Sequence, residues 1–388
     1  MNASAVCARI QSMQPTLVGV ETAGQALGLT DMQLLHAGPA LADPTRPPPV
    51  LQSAAVLTAI HEGWADSEAD AERLIAQGQI NWAPAQDSGC VTPLAAVVAP
   101  STPLFVVADA DTVLPASFAP VSPVLGLDTR MGSRDPAVLA SLQRRDRELT
   151  PAWQAHLAAH GPLALWPLAR AGMAAGDDLH FGTSGASSAL AEHLQQAGAQ
   201  DWADAIGRTP VYFLTLWMAA CALLLKAVPG DGPNSVVVRA GGNGEQFGVS
   251  LARAPARWSS VAAGAPAGPR LPGKESILAC GAIGDSAVID MLGFGAQRLA
   301  HAPVAREAFE SAGVLPNDYA GVVDQLRAAP GAESASMQPV PLDAQRVAAS
   351  QVTPLVALAM LGADGKTGLL GRGLYRPPVD VFAQALDD

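Results

Sequence analysis

The stretch Val211–Val228, reading VYFLTLWMAACALLLKAV, constrains this chain more than any other segment. It is almost wholly apolar and approaches the length that spans a bilayer. Yet Lys226 sits inside it, no basic anchor precedes it, and no second run of the kind exists. Thr209 followed by Pro210 reads as an N-cap and first helical residue, and Pro229-Gly230 as a stop. A helix that is apolar all round must be covered all round. The expectation is a helix buried at the centre of the protein, not a membrane span.

With 388 residues the chain exceeds a single hydrophobic core, so two or three domains are expected. Hydrophobic residues make up 49% and charged residues 15%, the reverse of what disorder requires. A net charge of -12 argues against nucleic acid and anionic membrane surfaces, which call for basic faces. Local arginines or backbone amides can still hold a small anion. Cys7, Cys90, Cys221 and Cys280 are scattered without metal-ligand spacing, so no zinc site is expected and the thiols read as free. No basic region followed by an apolar run opens the sequence, and the expected location is cytoplasmic.

The order of elements reads as α/β (α+β): two mixed α/β domains with an intervening helical domain. Residues 1–127 form the N-terminal α/β domain in this reading, 128–228 the helical domain and 229–388 the C-terminal α/β domain. In the first, Ser53 to Gly63 and Ser67 to Gln77 read as helices, Ile80-Asn81-Trp82 as a short strand and Leu104 to Val107 as a buried one. The second holds a helix from Pro136 to Glu148 capped by Asp135, a new start at Thr150-Pro151, and a helix from Ser184 to Ala197. The third opens on the β-branched run Ser235 to Arg239, with Gly242-Asn243-Gly244 as a hairpin turn returning along Phe247 to Leu251. Residues 262–273 and 330–340 read as loops, and Gly362 to Gly373 as a glycine-rich turn region before a helical tail.

Chemistry-bearing residues fall on turns that open or close apolar segments: LLHAGP at 34–39, EGWA at 62–65, GDDLH at 176–180, GNG at 242–244 and GDSA at 284–287. Glycine lets a main chain approach a ligand closely, and such loops are where binding groups gather. Gly284-Asp285-Ser286-Ala287 either presents amides to an anion at a helix start or simply caps that helix. Asp177, Asp178 and His180 suit acid–base work or a helix-capping loop. His36 reads as a strand-end histidine before Gly38, either catalytic or structural. Glu62, if buried beside Trp64, would have a raised pKa. The GKT triplet at 365–367 fails the phosphate-loop spacing, and GGNG at 241–244 lacks its Lys-Ser/Thr.

Assembled, these residues resemble the YlbE/AllG-like family over nearly the full length. Beyond LLHAGP, EGWA, GDDLH and GDSA, the matching stretches are IN at 80–81, ASSAL at 186–190, NGEQFG at 243–248, VTPL at 352–355 and FAQAL at 382–386. The resemblance implies a subunit of an oxamate carbamoyltransferase, which moves a carbamoyl group between oxalurate and phosphate in allantoin-type purine catabolism. It further implies an FdrA-like partner subunit, a third subunit and an oligomer. It brings Asn81, Ser187 and Thr353 into the set of substrate-binding candidates. The family pattern carries a His-His pair where this chain has Gln86-Asp87, and an Arg-Asn pair where it has Gly182-Thr183.

The expected enzyme therefore binds a small anion: a ureido acid, phosphate or carbamoyl phosphate. Carbamoyl transfer rests on positioning and on stabilising a tetrahedral oxyanion. His36 and His180 are the candidate proton-transfer groups, Asp178 and Glu62 the orienting acids, and Asp285 a further catalytic candidate. Gly38, Asn81, Ser187, Asn243, Gly244, Ser286 and Thr353 are the remaining substrate-binding candidates. No motif calls for a metal or an organic cofactor. The competing readings are a non-catalytic assembly subunit and a stand-alone ureide amidohydrolase.

Overall fold

Four small sheets carry the strands of the computed structural model, which describes residues 3–124, 127–230, 234–329 and 337–387. In chain order the strands are β1 (Pro15–Thr22), β2 (Gln33–His36), β3 (Asn81–Pro84), β4 (Pro103–Asp109), β5 (Ser117–Pro120) and β6 (Leu163–Ala164). After a helical stretch come β7 (Val237–Asn243), β8 (Gln246–Leu251), β9 (Ser259–Ala262), β10 (Ile283–Gly284), β11 (Val356–Leu361) and β12 (Leu369–Tyr375). The sheets run β5-β4-β1-β6, β10-β7-β8-β9, β11-β12 and β2-β3. The class is mixed α/β.

Among the described residues, β2 and β3 are the one pair of strands that runs parallel, with His36 opposite Pro84. Parallel neighbours need a crossover, and two helices supply it. Pro49–His61 starts on a proline, which has no amide to leave unpaired. Glu68–Ala76 is capped by Ser67, whose hydroxyl accepts the Asp70 amide at 3.2 Å, with Glu68 and Asp70 in its first turn. The first of these helices therefore begins before Ser53, because the leading proline extends it.

Helix Phe213–Lys226 is the centre of the largest core cluster. Phe213, Leu216, Trp217 and Leu224 are fully buried, and Trp217 meets Trp166 and Phe294 at centroid distances of 5.2 and 5.3 Å. Strands β1, β4, β5 and β7 and three helices pack around it. Its start differs from the Thr209-Pro210 expectation. Residues 210–212 form turns, and the cap comes from far along the chain: Ser187 Oγ accepts the Phe213 amide at 3.1 Å. Among the described residues no helix is long and apolar enough to cross a membrane.

Other boundaries move for identifiable reasons. Thr150 starts no new helix: a π turn over Arg145–Leu149 joins Ala137–Arg144 to Thr150–His160, and the Thr150 amide reaches back to Arg145 O. That wide turn makes room for Pro151, whose ring would crowd an ordinary helix. The expected turn region 362–373 contains most of β12, and the expected loop 262–273 is stitched to it by bridges Ala267–Leu374 and Arg270–Gly371. Most of the expected 330–340 loop lies outside the described residues.

Candidate functional site

The turn at Gly284-Asp285-Ser286 sends its two side chains to different places. Asp285 is fully buried and bridges separate parts of the chain. One oxygen accepts the Gly38 amide (2.9 Å) and Gln86 Nε2 (2.7 Å); the other accepts the Thr92 amide (2.9 Å) and hydroxyl (3.3 Å). Burial pushes its carboxyl up to about 7 against those donors. It caps no helix: the helix Ala287–Met291 has no side-chain cap bond.

The Asn243 corner joins the same cluster, because β10 pairs with β7 and sets Gly284 opposite Gly242. Asn243 Oδ1 accepts the Glu245 and Gln246 amides at 3.0 and 2.8 Å, closing the hairpin, while Nδ2 donates to Pro39 O at 2.9 Å. Gly38, at φ 74°, lies so close that a Cβ there would sit 2.5 Å from Gly242 C. Gly244 donates its amide to Ala282 O at 3.0 Å. These groups, expected to bind an anion, therefore spend their bonds on one another. His36 stands beside them, fully buried, Nδ1 2.8 Å from Ala37 O and Nε2 without a hydrogen-bond partner. Burial lowers its pKa to about 4, so it is neutral near pH 7.

Ser286 faces a different space. A cavity of about 140 Å³ is lined by His180, Ser286, Arg130 and Arg372, with walls from Pro93, Leu94, Met131, Phe181, Leu214 and Leu358. His180 Nδ1 lies 2.6 Å from Asp290 Oδ2. The other Asp290 oxygen accepts the Ala296 and Ala357 amides at 2.8 and 3.3 Å. Asp290 is fully buried, and burial raises its carboxyl pKa against the pull of His180. Gly295 leaves room for the pair, since a Cβ there would stand 2.5 Å from Asp290 Oδ1 and 2.9 Å from His180 Cβ. With Nδ1 held by a carboxylate, Nε2 is the ring nitrogen left to exchange a proton.

Asp178 does not orient His180, contrary to the sequence expectation. Its carboxylate accepts the Phe181 and Gly182 amides at 2.9 and 2.7 Å, and burial raises its pKa. It fixes the loop in which Leu179 sits at φ 70°, an uncommon backbone for a side-chain-bearing residue. The acid that holds His180 is Asp290, which sequence reading missed because it looks like a polar residue in an apolar helix. Arg130 was missed too. Its side chain is 10% exposed, its Nε has no hydrogen-bond partner, and its nearest carboxylate oxygen, on Asp128, is 3.8 Å away. Arg130 lines the cavity, and a guanidinium at a cavity wall is a ready anion contact. Arg372 donates to Phe181 O at 2.8 Å and lies over the Phe181 ring.

Four candidates lie outside both groups. Glu62 accepts from the Ser101 amide and hydroxyl at the end of its helix; burial raises its pKa, opposed by those bonds. Asn81 is exposed at the start of β3. Ser187 is buried, but its hydroxyl serves the Phe213 amide and Pro210 O. Thr353 is half-buried in the segment before β11. Gln86 and Asp87 point away from the His180 cavity: Gln86 bonds Asp285 and Ala240 O, and Asp87 bonds Arg239 and Trp258. Among the described residues no group of His, Cys, Asp and Glu is arranged to hold a metal ion.

A family model described as "Oxamate carbamoyltransferase subunit AllG" matches residues 80–286, more than half of the chain. The chain belongs to the AllG family. That match begins at the strand preceding Gln86 and ends at the Asp285-Ser286 corner. Among curated relatives, Escherichia coli AllG, named an oxamate carbamoyltransferase subunit, is 25% identical over 99% of this chain and 96% of its own length. Escherichia coli YahG, an uncharacterised protein, is 24% identical over 97% of this chain and 83% of its own. A crystal structure of a conserved protein of unknown function from Enterococcus faecalis shares the fold: TM-score 0.88 at 22% identity, over 99% of this chain and 96% of that one.

Proposed function

We propose that this AllG-family chain is a subunit of a carbamoyltransferase complex and that the His180 cavity holds its small anionic substrate. The observation that carries this reading is the convergence of the Asp290-held His180, the Arg130 and Arg372 side chains and Ser286 on one small cavity. A space of about 140 Å³ is close to the roughly 150 Å³ that accommodates benzene. Oxamate, oxalurate and phosphate are of that order of size.

In this reading an oxygen of hydrogen phosphate attacks the ureido carbonyl carbon of oxalurate and gives up its proton to His180 Nε2. The tetrahedral oxyanion collapses, the bond from carbon to the oxamate nitrogen breaks, and His180 Nε2 delivers that proton to the nitrogen. Products are carbamoyl phosphate and oxamate, and the reverse direction returns the proton. Arg130 and Arg372 neutralise carboxylate and phosphate charge, while Asp290 fixes the imidazole. The multi-subunit assembly with an FdrA-like partner and a third subunit belongs to this proposal, as does the allantoin-type pathway. A reducing, cytoplasmic setting agrees with four free, buried cysteines.

The test is formation of carbamoyl phosphate from oxalurate and phosphate by the chain co-purified with the products of its neighbouring genes. We expect turnover that His180→Gln abolishes. Turnover unaffected by that substitution, or no turnover of any ureido acid, contradicts the reading.

A further inference from the structure

A second cavity has no role in that chemistry. It is a cleft of about 800 Å³, lined by Gln86 to Val91, the 114–118 segment, the end of the central helix at Lys226, and Arg239 and Arg253. The Gln86–Leu94 stretch is thus a wall between two spaces: residues 86–91 face this cleft, Thr92 is tied to Asp285, and Pro93-Leu94 face the His180 cavity. Lys226 reaches the cleft from inside the protein. Its Nζ donates to Ala116 O at 2.6 Å, and backbone crowds it, since a Cβ on Gly89 would stand 2.8 Å from that nitrogen. An ammonium has three donors, and one is used here.

Neighbouring charges leave the amine without an opposite charge of its own. Asp87 is the carboxylate on the cleft wall, and it is bonded to Arg239 and to Trp258 Nε1. Arg253 spends Nη2 on the carbonyls of Ala385 and Leu386. Cys90 stays a thiol, its pKa raised by burial. Burial, helped by Arg239, lowers Lys226 to about 8. A half-desolvated cation with spare donors, facing an open cleft, is stabilised most by an incoming anion.

We propose that the Lys226 cleft is a second anion-binding site, which takes a phosphate or carboxylate group independently of the His180 cavity. Lys226 Nζ donates to the anion, and the apolar walls at Leu114, Phe118 and Leu225 admit a body larger than the His180 cavity holds. Binding takes up a proton, because the anion raises the amine's pKa.

The experiment is competitive acetylation of the full-length protein with acetic anhydride at pH 8, read on the Lys226 peptide by mass spectrometry, with inorganic phosphate or oxamate as probe. An anion at 4–6 Å raises the amine's pKa by a unit or more, so labelling slows about fivefold. At least one probe is expected to protect, and which one does so identifies the head group. Protection persists in Arg130→Met, in which the other cavity has lost its anion contact. Lys226→Met is expected to lose calorimetric phosphate or oxamate binding that Lys226→Arg retains. No protection by either probe at saturation overturns the proposal, as does protection that disappears in Arg130→Met. Neither outcome depends on turnover, so failure here is distinguishable from failure of the carbamoyltransferase reading.

Discussion

Asp285 and Asp290 lie in one short segment, both fully buried and both with carboxyl pKa values pushed up by burial, yet they serve different ends. Asp285 receives hydrogen bonds from Gly38, Gln86 and Thr92, and these donors fasten three stretches of chain together. Asp290 gives one oxygen to backbone amides and the other to His180, which lines an open cavity. Burial alone does not mark a reacting acid. What separates the two is whether the carboxylate's partner is itself ionisable and faces space.

The contrast is sharpest under substitution. His180→Gln should lower turnover by roughly 10²- to 10⁴-fold, the range for removing a general acid–base, while the thermal midpoint moves little; a large loss of stability with turnover per folded molecule intact would reverse the assignment. Arg130→Met comes next. Losing a charge-assisted bond of about 1.5–3 kcal/mol should raise the anion's Kd by roughly ten- to a hundredfold, as read by titration with oxamate and with phosphate.

On the other side, Asp285→Asn turns an amide NH₂ toward N–H donors whichever way it is set, Gly38 and Gln86 on one side and the Thr92 amide on the other. Urea unfolding should show a loss of about 2–3 kcal/mol, as expected for unsatisfied buried polar groups. Equal stability would mean the corner is not the clamp its bonds describe.

Titration separates the regions more gently. Asp285, raised from 3.8 to about 7, contributes stability that is full below pH 3.8 and lost as pH rises through about 7. His36, lowered from 6.5 to about 4, contributes stability that is full above pH 6.5 and lost as pH falls through about 4. Between these limits the slopes oppose, each about 1.4 kcal/mol per pH unit. Over pH 4.5 to 6.5 His36→Gln should lose stability with rising pH more steeply than the wild type in denaturant unfolding. A flat profile in the variant would contradict the burial-driven account of Asp285. The smallest effect is at Asn81, exposed and outside both groups: Asn81→Ala should stay within about 0.5 kcal/mol and leave turnover unchanged.

What could be read from sequence follows the range of the interactions. The central helix, the helix opening at Ser67, the strand around Leu104 to Val107 and the hairpin near Asn243 are local patterns, and all are present. The chain also brings the Gly38, Asn243 and Asp285 corners together as one cluster. Its closure could not be read, because whether a carboxylate meets amides or open space depends on register between strands far apart in sequence. The same limit hid Asp290, whose partner lies 110 residues away, and Arg130, whose unspent donor is visible only once its neighbours are placed. Thr150-Pro151 misled for a local reason: a π turn lets helix run through a cap-like pair.

The most direct test is a crystal structure of the chain with oxamate and phosphate at saturating concentration. The account predicts an oxyanion in the cavity within hydrogen-bond distance of the Arg130 guanidinium, with His180 Nε2 and Ser286 Oγ facing the same ligand. A ligand bound elsewhere with that cavity left without an anion, or one displacing the donors of Asp285, would contradict it.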